Sequence, residues 1–153
     1  MKIKFSILIL FIGSMSYCQS KEEQRDLMNQ RDYEVSLVAN NSSITISKYK
    51  STTINEISLL FKTETAICRE YDEINLTLFS GEKLHFDNAK IYCSELETKK
   101  YKLIGSLLLT TELYNKLSQT EIISFELGEV KIPVEFKEEG ENLRGLFKFS
   151  EQF

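Results

Sequence analysis
The side chains in this sequence that could do chemistry are few: one histidine, three cysteines, two knots of acidic residues and seven tyrosines. General acid–base catalysis most often uses histidine. The single candidate, His85, lies between Leu84 and Phe86 in an alternating run. On a strand it points away from both neighbours, as an exposed surface histidine does. A serine nucleophile needs a base within reach, and no G-x-S-x-G elbow occurs. Cys68 or Cys93 could form a thiol dyad with His85 only as a free thiol. Zinc usually recruits three or four Cys and His ligands at close spacing. Here the histidine is eight residues from the nearer cysteine, so no metal site is expected. Glu70, Asp72 and Glu73 cluster in one connection, and Glu138, Glu139 and Glu141 surround Gly140. Both knots read as charged turns, because the alternating ligand pattern of a calcium loop is missing. A glycosidase-like carboxylate pair facing across a cleft is the alternative. No phosphate-binding glycine loop and no H-E-x-x-H occurs. The expectation is a chain that is not an enzyme and uses no cofactor.

The cysteines bear on compartment. Lys2 and Lys4 precede a nine-residue apolar run, Phe5 to Gly13, which is about half of what an apolar helix needs to span a bilayer. A basic start, a short apolar run and then small and polar residues form a signal peptide. Lipid anchoring at Cys18 would want a small residue directly before the cysteine, and Tyr17 stands there. Cleavage after Cys18 places Ser16 and Cys18 at the positions where ordinary signal peptidase wants small side chains, and leaves Gln19 first. This leader resembles those of exported proteins of the Bacteroidetes, where a short apolar run, a small residue and Gln recur. The expected divisions are a signal peptide over 1–18, a polar lead-in over 19–32 and a single β-rich domain over 33–153. The localisation this implies is periplasmic or extracellular.

Cleavage leaves 135 residues, enough for one domain with a true core. It also leaves 17 basic against 23 acidic residues, a net charge near −6. Nucleic acid is therefore not an expected partner, since phosphate neutralisation needs a clustered basic excess. Two cysteines remain, Cys68 and Cys93, and an even pair in an exported chain reads as a disulfide. Closing a loop of about two dozen residues is worth about 3 kcal/mol on the chain-entropy model. Two buried free thiols are the alternative.

The elements follow from periodicity. "YEVSLVA" and "ITISKY" alternate on either side of the turn-forming "NNSS" and predict a hairpin. "INEISLLFKT" puts Ile57, Leu59 and Phe61 on one face. "INLTLFSGEKLHF" is a hairpin turning at Ser80-Gly81, and "AKIYC" is a further strand. Residues 64–73 are either a short strand around Ile67 or a charged connection. "YKLIGSLLL" is apolar on both sides, which predicts a central strand covered on both faces, with Gly105 marking a bulge or close packing. "TTELYNKLSQ" changes period: Thr110 is a good N-cap, and Leu113, Tyr114 and Leu117 make one stripe. "IISFELGEVKIPVEF" is a hairpin with Ile123, Phe125 and Leu127 inward, and Pro133 marks an edge strand. The tail around Leu143, Leu146 and Phe147 has helical spacing, with a strand over 146–149 as the alternative.

The expected fold is mostly antiparallel α+β with one short helix over 110–119; the alternative is a β-sandwich with a helical insertion. The mature chain resembles uncharacterised small exported proteins of the Bacteroidetes, from which no functional residue carries over. The function expected is a non-enzymatic binding or accessory module of the cell envelope, taking a protein, peptide or glycan. An inhibitor or immunity-type protein against a secreted effector is the alternative, and a carboxylate-based hydrolase the third. "YKLIGSLLL" and its flanking tyrosines, Tyr92, Tyr101 and Tyr114, are the candidate contact patch, since aromatics are enriched at interfaces; packing at the core margin is the alternative.

Overall fold
A computed structural model describes residues 29–138 and 142–151. The signal peptide with Cys18, the lead-in before residue 29, and Glu139, Gly140 and Glu141 lie outside the described residues. Two antiparallel sheets face each other across one core. The first has five strands in the order β1 (Gln30–Ser36), β2 (Ser43–Lys50), β3 (Asn55–Thr65), β7 (Tyr101–Leu108) and β6 (Lys90–Glu95). The second has four, in the order β5 (Lys83–Phe86), β4 (Ile74–Leu78), β8 (Ile122–Leu127) and β9 (Val130–Pro133). Two short helices, α1 (Thr111–Gln119) and α2 (Leu143–Ser150), complete the mostly-β α+β fold. The face-to-face layering of the sheets is that of the sandwich alternative.

Alternation accounts for the core. Val35, Ile44, Ile46, Leu59, Phe61, Leu103 and Leu107 point inward from the first sheet. Ile74, Leu76, Phe125, Leu127 and Ile132 meet them from the second. The rings of Phe61 and Phe125, one from each sheet, lie 4.9 Å apart. Gly105 on β7 is where the layers come closest. A Cβ there would sit 2.6 Å from Leu127 Cδ2 and 3.1 Å from Ile74 Cδ1, so the glycine serves close packing. Leu117 of α1 and Leu143 and Phe147 of α2 join the same core.

The helices begin where their caps dictate. The Leu113 N–H donates to Thr110 Oγ1 at 3.2 Å, and the Gly145 N–H to Asn142 Oδ1 at 2.6 Å. The helical spacing of the tail thus prevails over the strand alternative. The β1–β2 turn places Asn40 and Asn41 in the left-handed region, at φ 51° and 47°, which asparagine tolerates.

Three expectations are corrected, and one open alternative, over residues 67–73, is decided. β1 begins at Gln30, inside the stretch assigned to the lead-in, because Gln30, Arg31 and Asp32 find ladder partners in Tyr49, Lys48 and Ser47. Residues 67–73 form no strand; they are the charged connection. Ile123 is exposed and Ile122 buried, since a register irregularity at Thr77/Leu78 shifts the start of β8 by one residue. β7 is covered on its inner face only: Leu108 is 59% exposed and Ile104 half-buried.

Candidate functional site
The disulfide-distance pair positions the far flank of the sandwich. Cys68 lies in the connection after β3 and Cys93 on β6, with Cα atoms 6.1 Å apart. The same connection is held at its other end. The Gly128 N–H donates to the Glu73 carbonyl at 2.9 Å, and the Ala89 N–H to the Asp72 carbonyl at 2.7 Å. Gly128 has φ +56°, and a Cβ there would fall 2.0 Å from the ring of Tyr71. Only glycine supplies both the turn and the space for that ring. Glu70, Asp72 and Glu73 are exposed along a hollow of about 330 Å³ that includes Glu129, which pairs with Arg69 at 3.3 Å. Glu138 is exposed as well.

The three candidate tyrosines do not share a surface. Tyr92 pairs with Ile104 and shares the outer face of the first sheet with it. Tyr101 alternates with Leu103 and Gly105 and so belongs to the inner side of the same sheet, near its end. Tyr114 sits on α1, its ring 5.2 Å from that of Phe147 and edge-on. Its hydroxyl donates to Glu151 Oε1 at 2.9 Å. Burial, and then the Glu151 carboxylate, push this phenol up to about 12. The physical reason for the correction is parity: period two sends residues 92 and 101 to opposite faces of paired strands.

What surrounds Tyr92 instead is a set of apolar side chains. Ile104 stands directly opposite it, while Leu60 on β3 stands opposite Ser106 and diagonal to both Ile104 and Leu108. Tyr92 is 61% exposed and Leu108 59%, the more exposed members of the group. Lys62, Lys90 and Lys102 occupy the same face around it. Lys62 is paired with Glu34; Lys90 and Lys102 make no ion pair among the described residues. Ile104 and Leu108 belong to the sequence-predicted run "YKLIGSLLL"; Leu60 was absent from it because only the β3–β7 ladder brings it there. Ser58, Lys62, Lys90 and Ser94, which share the outer parity of β7 on the neighbouring strands, are the polar signal that this face is wet.

Across β1 and β2 the same face is polar and internally bonded. Thr45 Oγ1 donates to Glu34 Oε2 at 2.9 Å, and Lys62 reaches the same carboxylate oxygen. Ser47 Oγ donates to Asp32 Oδ1 at 2.6 Å and accepts from Gln30 Nε2 at 3.3 Å. The Lys62 hydrogen bond holds the Glu34 carboxyl below its ordinary value, with burial opposing and Thr45 assisting.

A larger hollow, about 600 Å³, lies at one end of the first sheet between Arg31, Lys48, Lys50 and Asn55. Lys48 Nζ donates there to the carbonyl of Ser150. His85 is exposed on β5, with Nδ1 2.6 Å from Asn75 Oδ1 and Nε2 2.7 Å from Asp87 Oδ1. The chain matches no protein-family model, no curated protein and no solved structure.

Proposed function
We propose that this protein is a small exported, non-enzymatic binding or accessory module of the cell envelope. Its contact surface is the β3–β7–β6 part of the outer face of the five-stranded sheet. The observation that carries the proposal is an apolar group on the outer face of the sheet, exposed Tyr92 and Leu108 with half-buried Ile104 and Leu60 between them. Apolar groups clustered on a surface gain by being covered, and a rim of charge selects what covers them. Here the rim is Lys90 and Lys102, on a chain whose net charge is negative. The partner is therefore a protein or peptide surface with an apolar or aromatic centre and acidic margins.

Export is supported by the basic, apolar and small-residue order of the leader and by a cysteine pair at disulfide distance. Intact mass of the exported protein is expected to place Gln19 first and to show two hydrogens missing. A diacylglyceryl adduct on Cys18, or two thiols alkylated without reduction, would overturn that assignment.

Pull-down from envelope extract tests the surface. The paired substitution Tyr92→Ser and Leu108→Ser removes exposed groups and is expected to leave the urea midpoint nearly unchanged. It is expected to weaken capture of the specific partner by about 30-fold, the effect of losing one interface anchor of about 2 kcal/mol. Equal capture by both forms would refute the surface. A captured secreted effector whose activity is blocked would instead favour the inhibitor reading.

A further inference from the structure
Four potential ligands occupy one end of the β4–β5 hairpin. Asn75 and His85 are directly opposite each other in the ladder. Glu73 and Asp87 lie one step beyond the adjoining Ile74–Phe86 pair, each two residues from its neighbour and therefore on the same outer face. Ligand atoms of Glu73, His85 and Asp87 all lie within 4.8 Å of one another.

Two carboxylates brought together across a strand pair repel, and like charges in such positions are unfavourable. Something must nonetheless hold them there. Glu73 is fixed by the Gly128 N–H on its carbonyl and by Tyr71 stacked on Gly128. Asp87 follows directly from β5, and the turn after it is tied back by the Ala89 N–H on Asp72. Both carboxylates are thus set by backbone contacts that do not depend on their own charges.

The imidazole supplies the decisive detail. Both ring nitrogens face oxygen atoms, Asn75 Oδ1 on one side and Asp87 Oδ1 on the other. A neutral imidazole carries one N–H. With that N–H on Nδ1, donated to Asn75, Nε2 can give a metal ion the lone pair that otherwise carries the proton shared with Asp87 Oδ1 at 2.7 Å. A ligating histidine is ordinarily oriented in this way, by donation of its other ring N–H to an oxygen. A cation between Nε2, Asp87 and Glu73 removes the repulsion among them.

We infer that Glu73, His85 and Asp87 form a binding site for a borderline divalent transition ion of the Zn²⁺ class, with Asn75 setting the imidazole tautomer. One nitrogen and two carboxylate oxygens match Zn²⁺, whose bonds to such ligands are about 2.0–2.2 Å; water completes an exposed site of this kind. Mg²⁺ and Ca²⁺ favour all-oxygen shells and are discriminated against by the imidazole. Glu73 stands twelve and fourteen residues before His85 and Asp87, so close spacing did not disclose the three together.

The test is Zn²⁺ titration of the exported, oxidised and chelator-treated protein, followed by native mass spectrometry and by the ring ¹⁵N resonances of its one histidine. Saturable binding of one ion per chain is expected, with the Nε2 resonance moving and Nδ1 retaining its proton. His85→Gln and Asp87→Asn, both at exposed positions, are expected to weaken binding at least about tenfold. Asn75→Ala, which keeps all three ligands, is expected to weaken it less while releasing the tautomer. An ion bound equally well by His85→Gln would overturn the site. So would a histidine whose resonances ignore Zn²⁺, which would reduce the cluster to an imidazolium–carboxylate pair only.

Discussion
On the outer face of β1 and β2, polar side chains answer one another; on β6 and β7, apolar side chains are left outward. The backbone is the same kind of ladder in both regions, with antiparallel pairs in register. In the first region Thr45 and Ser47 are nearly fully buried although they lie on the outer face, because Glu34, Lys62, Asp32 and Gln30 fold over them. Its hydrogen-bonding capacity is used within the molecule. In the second region Tyr92 and Leu108 have nothing laid over them among the described residues. A saturated polar surface gains little from a partner, whereas an apolar one gains by being covered. The contrast is what supports placing the proposed contact surface on one half of a single sheet.

Four perturbations would break or sharpen this contrast. The largest concerns the Cys68–Cys93 pair, which fastens β6 and leaves β1 and β2 alone. Replacing both cysteines by serine is expected to cost about 3 kcal/mol of unfolding free energy in denaturant titration. Amide exchange should accelerate in β6 and β7 before it does in β1 and β2. Next is Gly105→Val, which overfills the inner side of β7 against Leu127 and Ile74 and is expected to cost about 2 kcal/mol. Ser106→Val, one residue along on the outer face, should change the unfolding free energy by less than about 0.5 kcal/mol. A similar cost for the two would mean that the outer face of β7 is not open.

Thr45→Val probes the saturated half. It removes a donor from Glu34 and is expected to cost about 1 kcal/mol while leaving partner capture intact. The smallest effect is a pH dependence. Glu34 is held below its ordinary value of 4.5 by Lys62, so the stability it contributes is present above that pH. It is lost as pH falls through the lower, folded-state value. Glu34→Gln should flatten the denaturant midpoint over that acid range only, and the half-exposed setting of the pair keeps the change small.

Much of the fold was legible from alternation and turn chemistry. The hairpins around Asn40-Asn41, Ser80-Gly81 and Gly128 have local signals, as does the helix capped by Thr110. The strand order was not legible. It depends on β3 meeting β7 and β4 meeting β8, pairings set by inter-sheet packing rather than by any local pattern. Ile122 and Ile123 illustrate the limit: both are apolar, and the irregularity in the β4–β8 ladder, which skips Ile123, decides which one faces inward. The candidate surface was half legible. Tyr92 was nameable from its residue type, but Leu60 joins it only through the ladder between β3 and β7. The Glu73–His85–Asp87 cluster follows from the register of the β4–β5 hairpin, and it goes unread in the sequence because Glu73 reads as part of a charged connection and His85 as a lone surface histidine.

The interleaving of the two sheets also has a consequence in time. Between β3 and β7, which are neighbours in the first sheet, the chain lays down β4 and β5 of the second. Between β4 and β8 it returns to the first sheet for β6 and β7. Neither sheet can finish before the other is under way, and the central ladders of both close long loops. Such topologies reach the native state in milliseconds to seconds rather than microseconds, because loop closure precedes the contacts that reward it. A thiol pair bridging Cys68 and Cys93 spans the interval in which β3 must wait for β7. Oxidation therefore shortens the search as well as securing its result, which ties the speed of folding to the redox state of the compartment where the chain emerges.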